Sequence, residues 1–223
     1  MKNVKNRLES NSTEKGNNIL FLSPHTDDVE LGSGGTLEKF RENGNNIMII
    51  VFSEGSIYNS DDEGKSTLKK EFKRTMKEAM IQNYKIFNFK IRELGYSRQE
   101  ILEELVKVND LFFPDLVVGP SLNDFHQDHQ TIASEMVRAF KTEASIICYE
   151  MPWNHISFNT QLFVRLEKKH IERKLSLLNH YKSQLEMKRP YFSPEFIYGL
   201  AKTRGVQCNS EYAEAFEVLR WIM

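Results

Sequence analysis

This chain has few cysteines, no long apolar run and almost no net charge, and each shortage removes a class of protein. Its 223 residues include two cysteines, Cys148 and Cys208, far apart and without metal-type spacing. Cys148 lies within Ile146-Ile147-Cys148-Tyr149 and reads as a buried free thiol. The longest apolar run, Ile47 to Phe52, is far too short to span a bilayer. Thirty basic residues stand against thirty-one acidic ones, a net charge of −1. That balance gives no support for nucleic-acid binding or a basic membrane patch, although it leaves room for a small charged substrate. Residues 1–17 are polar and lack the apolar core of a signal peptide. They read as a mobile tail with a short helix near Val4 to Leu8, and a cytoplasmic location is the expectation. No internal repeat is present.

A hydrophobic content of 40% is enough for a full core, and the length suits one domain over 18–223. Apolar runs at Ile19 to Leu22, Ile47 to Phe52, Tyr84 to Phe89, Asp115 to Pro120 and Ser145 to Tyr149 read as strands. Between them lie amphipathic stretches: Leu37 to Arg41; Leu68, Phe72, Met76 and Met80; Ile101 to Val108; and Ile132 to Phe140. Glu167 to Met187 reads as one long helix, whose His170 and His180 are ordinary packing or surface histidines. The alternation predicts an α/β fold, a Rossmann-like, mostly parallel sheet with helices on both faces.

The stretch Ser23-Pro24-His25-Thr26-Asp27-Asp28 follows the first strand directly. Ligands bind at the carboxyl ends of strands in such sheets. His25 and Asp28 lie close enough on a tight loop for an imidazole and a carboxylate to meet one divalent cation. Asp27 diverges from its neighbour and stays free to support a ligand or to act as a base. A second cluster, Asn123-Asp124-Phe125-His126-Gln127-Asp128-His129, follows the fourth strand and suits a remaining ligand and an acid/base group. Asp128 also sits where it could simply cap a helix. Gly32-Ser33-Gly34-Gly35 does not have the G-x-G-x-x-G order of a dinucleotide site, and its glycines suit close packing and a tight lead into a helix.

The strings PHTDDVELGSGGT and HQDH resemble the PHPDD-x-E-x-G-x-GGT and H-x-D-H motifs of the LmbE-like, or PIG-L, zinc deacetylases. That family includes N-acetylglucosaminyl-phosphatidylinositol de-N-acetylase and the deacetylases of mycothiol and bacillithiol synthesis. Thr26 stands where the family usually has proline or alanine. Arg204-Gly205 and Tyr212-Ala213-Glu214-Ala215-Phe216 look like the family's R-G and Y-A-E-x-F segments. The resemblance implies His25, Asp28 and His129 as ligands of Zn2+, with Fe2+ able to occupy the same geometry. It implies Asp27 as general base, kept ionised by the neighbouring cation. His126 would stabilise the oxyanion or protonate the leaving amine, and Asp128 would orient His126.

The implied reaction removes the N-acetyl group from an N-acetylated amino sugar of the N-acetylglucosamine type. Hydrolysis of another amide, or metal-dependent binding without turnover, is the alternative. The implied partner is a small amino-sugar substrate, with homo-oligomer formation left open. The family often places an arginine near the start of the helix at Leu68; Lys69, Lys70 and Arg74 are the candidates here. Trp153, in an aromatic loop after the fifth strand, would either stack on a sugar or pack the loop.

Overall fold

The computed structural model describes residues 16–55 and 62–223. The short helix expected near Val4 to Leu8, and residues 56–61 of the polar loop after the second strand, lie outside them.

Strand β1 (Asn18–Ser23) alternates its apolar side chains between two cores, as the period of two in a strand requires. Ile19 and Phe21 face one core, Leu20 and Leu22 the other. Strand β2 (Asn46–Val51) pairs with it in parallel and divides in the same way, with Ile47 and Ile49 on the first side and Ile50 on the second. Helices α1 (Asp28–Glu42) and α2 (Asp62–Glu78) cover the first side through Val29, Leu37, Phe72 and Met76. Helices α3 (Arg98–Phe112) and α4 (Gln127–Phe140) cover the second through Ile101, Leu105, Ile132 and Met136. Apolar residues on both faces are what a parallel strand between helical layers needs.

The remaining strands are β3 (Tyr84–Ile86), β4 (Leu116–Gly119), β5 (Ser145–Tyr149), β6 (Leu162–Leu166) and β7 (Tyr212–Arg220). They form one seven-stranded sheet in the order β3-β2-β1-β4-β5-β7-β6. The first five run parallel, whereas β7 is antiparallel to both β5 and β6. The expected mostly parallel α/β sheet is therefore present, extended at one edge by an antiparallel pair. Strand β6 has no counterpart in the sequence reading: its apolar run, Leu162-Phe163-Val164, is only three residues long, and four of the strand's five residues are only partly buried or exposed.

The long helix expected over Glu167 to Met187 is two helices, α5 (Lys168–Leu178) and α6 (Lys182–Leu185). The chain breaks where Tyr181 turns into the core and donates to Thr26 O at 2.6 Å. Glu71 holds the restart, accepting from Ser183 N at 2.9 Å and Ser183 Oγ at 2.6 Å. His170 and His180 are packing histidines paired with Glu42 and Glu78. Helix α7 (Pro194–Gln207) completes the first layer through Ile197 and Ala201. Cys148 is a buried free thiol.

The glycine segment belongs to α1 rather than leading into it. The helix kinks at Ser33 (φ −147°, ψ 23°). Beyond the kink the N–H groups of Gly35 and Thr36 donate to Glu214 Oε1 and Oε2 at 3.1 and 2.7 Å. Lys174 Nζ, 2.7 Å from Glu214 Oε1, balances that buried carboxylate. Gly32 allows the close approach expected of these glycines: a Cβ there would lie 2.5 Å from Tyr149 Cδ2.

Candidate active site

Strands β1 and β4 are parallel neighbours with Phe21 opposite Val118, so their carboxyl ends emerge side by side. Chain order also reverses there, because β2 and β3 lie on one flank and β4 and β5 on the other. This is the topological switch point at which open α/β sheets bind ligands.

The loop after β1 is held by its own polar groups. Ser23 Oγ donates to His25 O at 2.5 Å, and His25 N donates to Asp28 Oδ2 at 2.7 Å. Ser53 N donates to Pro24 O at 3.0 Å, tying the loop to the end of β2. Fully buried Glu30 accepts from Tyr181 Oη at 3.2 Å, and burial pushes its carboxyl up to about 8, so it is neutral at pH 7.

The loop after β4 is pinned from β7. Glu217 accepts from Ser121 Oγ and, at 3.1 Å, from Asn123 Nδ2. His126 N donates to Asp124 Oδ1 at 2.8 Å. His126, not Asp128, caps α4: its Nδ1 accepts from Asp128 N at 3.2 Å.

These loops bring three donors together. Asp28 Oδ2 lies 3.2 Å from His25 Nδ1 and 3.3 Å from His129 Nε2, and the two nitrogens are 3.3 Å apart. A tetrahedral site with bonds near 2.1 Å has ligand–ligand edges of about 3.4 Å. Two imidazoles and one carboxylate in this triangle fit a divalent cation. A looser set, His25, His126 and His129, offers nitrogens within 4.8 Å of one another. The tighter triangle is the better cage, because His126 Nδ1 is already occupied by a backbone N–H.

Each imidazole of the triangle uses its outer nitrogen on a buried carboxylate. His25 Nε2 is 3.0 Å from Asp128 Oδ2, and His129 Nδ1 is 2.7 Å from Asp124 Oδ2. Such contacts fix the ring and turn the other nitrogen's lone pair inward. Asp128 was expected to orient His126, but its carboxylate bonds to His25, Arg92 N (2.7 Å) and Leu94 N (3.3 Å). The pairing crosses from one strand end to the next, which spacing within H-x-D-H does not reveal. Asp124 is the residue whose place the sequence reading left open; its only sequence signal is position, just ahead of His129.

The electrostatics favour positive charge at the triangle. Burial opposes the imidazolium forms, yet Asp28 and the outer carboxylates outweigh it and raise His25 to about 9 and His129 to about 10. Burial would raise Asp28 as well, but the two histidines hold it well below the usual carboxylate range. A cation would take the place of those protons. Burial and the adjacent Asp28 lift Asp27 to about 6. Burial and the nearby His25 and His129 push His126 down to about 4, so its ring is neutral, with the proton on Nε2 because Nδ1 accepts.

Of the basic candidates on α2, Lys69 pairs with Glu54 at 2.8 Å, while Lys70 and Arg74 are on the exposed face. Trp153 stacks flat on Tyr191 (centroids 4.2 Å apart, 9° between planes) and meets Phe196 edge-on, as loop packing predicts.

Residues 20–140, which hold both clusters, match the family described as PIG-L, GlcNAc-PI de-N-acetylase. The chain belongs to the PIG-L family. This PIG-L protein is a hydrolytic enzyme, and proteins similar to it are named deacetylases. It is 26% identical to the uncharacterized deacetylase YaiS of Escherichia coli, over 77% of this chain and 94% of that one. It is 28% identical to the diacetylchitobiose deacetylase of Thermococcus kodakarensis, over 50% of this chain and 45% of that one. The N,N'-diacetylchitobiose deacetylase of Pyrococcus horikoshii shares the fold at a TM-score of 0.75 and 20% identity, covering 98% of this chain and 90% of that one. No helix among the described residues is long and apolar enough to cross a membrane.

Proposed function

We propose that this PIG-L enzyme is a zinc-dependent N-deacetylase of N-acetylglucosamine-type conjugates. The observation that carries the reading is the His25–Asp28–His129 triangle, with edges of 3.2 to 3.3 Å and Asp27 next to it in the chain. Two imidazole donors favour zinc over magnesium. When bound, the zinc would supply a water of lowered pKa and polarise the amide carbonyl.

The protein's own residues supply the proton transfers. Asp27, raised to about 6, is largely ionised at pH 7 and is basic enough to take a proton from the attacking water. Neutral His126 offers its Nε2–H as a hydrogen bond to the oxyanion as it forms, and the proton that Asp27 took from the water passes to the amine as the C–N bond breaks. Water and amide thus become acetate and a free amine. Asp128 and Asp124 hold His25 and His129 in place throughout. The substrate class follows the named relatives, one of which acts on diacetylchitobiose.

Acetate release from a panel of N-acetylglucosaminides tests the reading. Release is expected with zinc-loaded protein and is expected to stop when a chelator removes the metal. Tight zinc binding with no acetate from any member of the panel would favour binding without turnover.

A further inference from the structure

Arg189 stands out among the charged residues around the site. Arg41, Arg98, Arg138, Arg173 and Arg204 each pair with a glutamate. Arg189 is exposed and has no carboxylate partner among the described residues, yet its side chain is held. Its Nη1 donates to Tyr191 Oη at 2.9 Å, and the guanidinium carbon sits 5.9 Å from the Tyr191 ring centroid. Tyr191 is itself fixed, stacked 4.2 Å from Trp153. The backbone is fixed too, in a 3₁₀ turn (Pro190–Phe192) closed by Phe192 N to Arg189 O at 3.0 Å. A pre-oriented guanidinium presents its remaining donors without a large entropy loss.

This wall adjoins the site. Asn154, the neighbour of Trp153, places Nδ2 3.4 Å from Asp124 Oδ2, the carboxylate that holds His129. Phe125 N, next to His126, donates to Asn154 O at 3.0 Å. The site is otherwise crowded with acids: Asp27, Asp28, Asp124 and Asp128 would repel an anionic substrate. Arg189, held on this wall with no carboxylate partner among the described residues, is the element that would admit such a substrate.

We propose that Arg189, braced by Tyr191 and Trp153, is a specificity-determining residue that receives an anionic group, a carboxylate or a phosphate, on the amino-sugar conjugate. A guanidinium matches the paired oxygens of either group. This inference rests on the deacetylase reading for its reaction, but not for its binding.

The test compares three probes: N-acetylglucosamine 1-phosphate, a carboxymethyl N-acetylglucosaminide and the neutral methyl N-acetylglucosaminide. kcat/KM and calorimetric affinity are measured for wild type, Arg189→Gln and Arg189→Lys. Wild type is expected to prefer at least one anionic probe, and the preferred one identifies the group. The anionic-to-neutral ratio is expected to fall roughly 10–100-fold in Arg189→Gln, the size of a charged hydrogen bond, with Arg189→Lys between. A ratio unchanged in Arg189→Gln would overturn the proposal and leave deacetylation standing. Absence of turnover, with anion-selective binding that Arg189→Gln abolishes, would remove the deacetylase reading and keep the subsite. Absence of both turnover and anion-selective binding would overturn the proposal.

Discussion

The Asp128 carboxylate sits 3.0 Å from Nε2 of His25, a residue 103 positions away in the chain. The contact gives Asp128 a part in metal affinity rather than in the protonation of His126. Asp128→Asn is therefore expected to weaken zinc binding about 10–100-fold, the usual cost of losing a carboxylate behind a ligating histidine. Competition against a chromophoric chelator measures it. Unchanged affinity with a slowed reaction would return Asp128 to the His126 pairing implied by the family motif.

Asp124 is the matching case on the other side of the triangle. Its Oδ2 lies 2.7 Å from His129 Nδ1. Asp124→Asn is expected to lower zinc affinity by a similar 10–100-fold. The double variant, read in the same competition, is expected to lose more than either single one. A single loss confined to kcat would place Asp124 in the reaction instead.

The framework of the site was legible because its residues are local. Ile19 to Leu22 and Asp115 to Pro120 are apolar runs that only buried parallel strands need, and His25, Asp28 and His129 follow them directly. What stayed hidden is held by pairing across the chain. Glu214 satisfies the kink of α1 from 178 and 179 positions away, and no periodicity in Gly32-Ser33-Gly34-Gly35 marks it. Tyr181 breaks the expected long helix because it reaches Thr26, a contact its own stripe of leucines does not foretell. Strand β6 carries a half-exposed pattern and needed β7 as a partner before it could be seen.

Glu214 carries a stability prediction of its own. Its carboxylate accepts from two backbone N–H groups and from Lys174, all buried. Glu214→Ala would strand a buried ammonium and two donors, at a cost of about 3–5 kcal/mol. Urea unfolding reads the loss as a lower midpoint with an unchanged slope. A shift worth less than about 1 kcal/mol, as for an exposed pair, would show that the kink does not depend on this clamp.

Trp153 is expected to matter to stability. Its indole packs on both Tyr191 and Phe196. Trp153→Ala is expected to cost about 1–3 kcal/mol, below a full core truncation because the ring is only partly buried. Thermal unfolding checks it; an unchanged midpoint would free the indole from packing.

The central claim divides two adjacent carboxylates, and one pair of variants tests it most directly. Asp28 Oδ2 is a corner of the donor triangle, whereas Asp27 stands beside it with a carboxyl raised to about 6. Zinc content after dialysis, measured by elemental analysis beside acetate release, separates the roles. Asp27→Asn is expected to retain about one equivalent of zinc and to lose roughly 10²–10⁴ in rate, since an amide cannot take the proton. Asp28→Asn is expected to emerge poor in zinc. Equal zinc loss in both variants, or full activity in Asp27→Asn, would contradict the account.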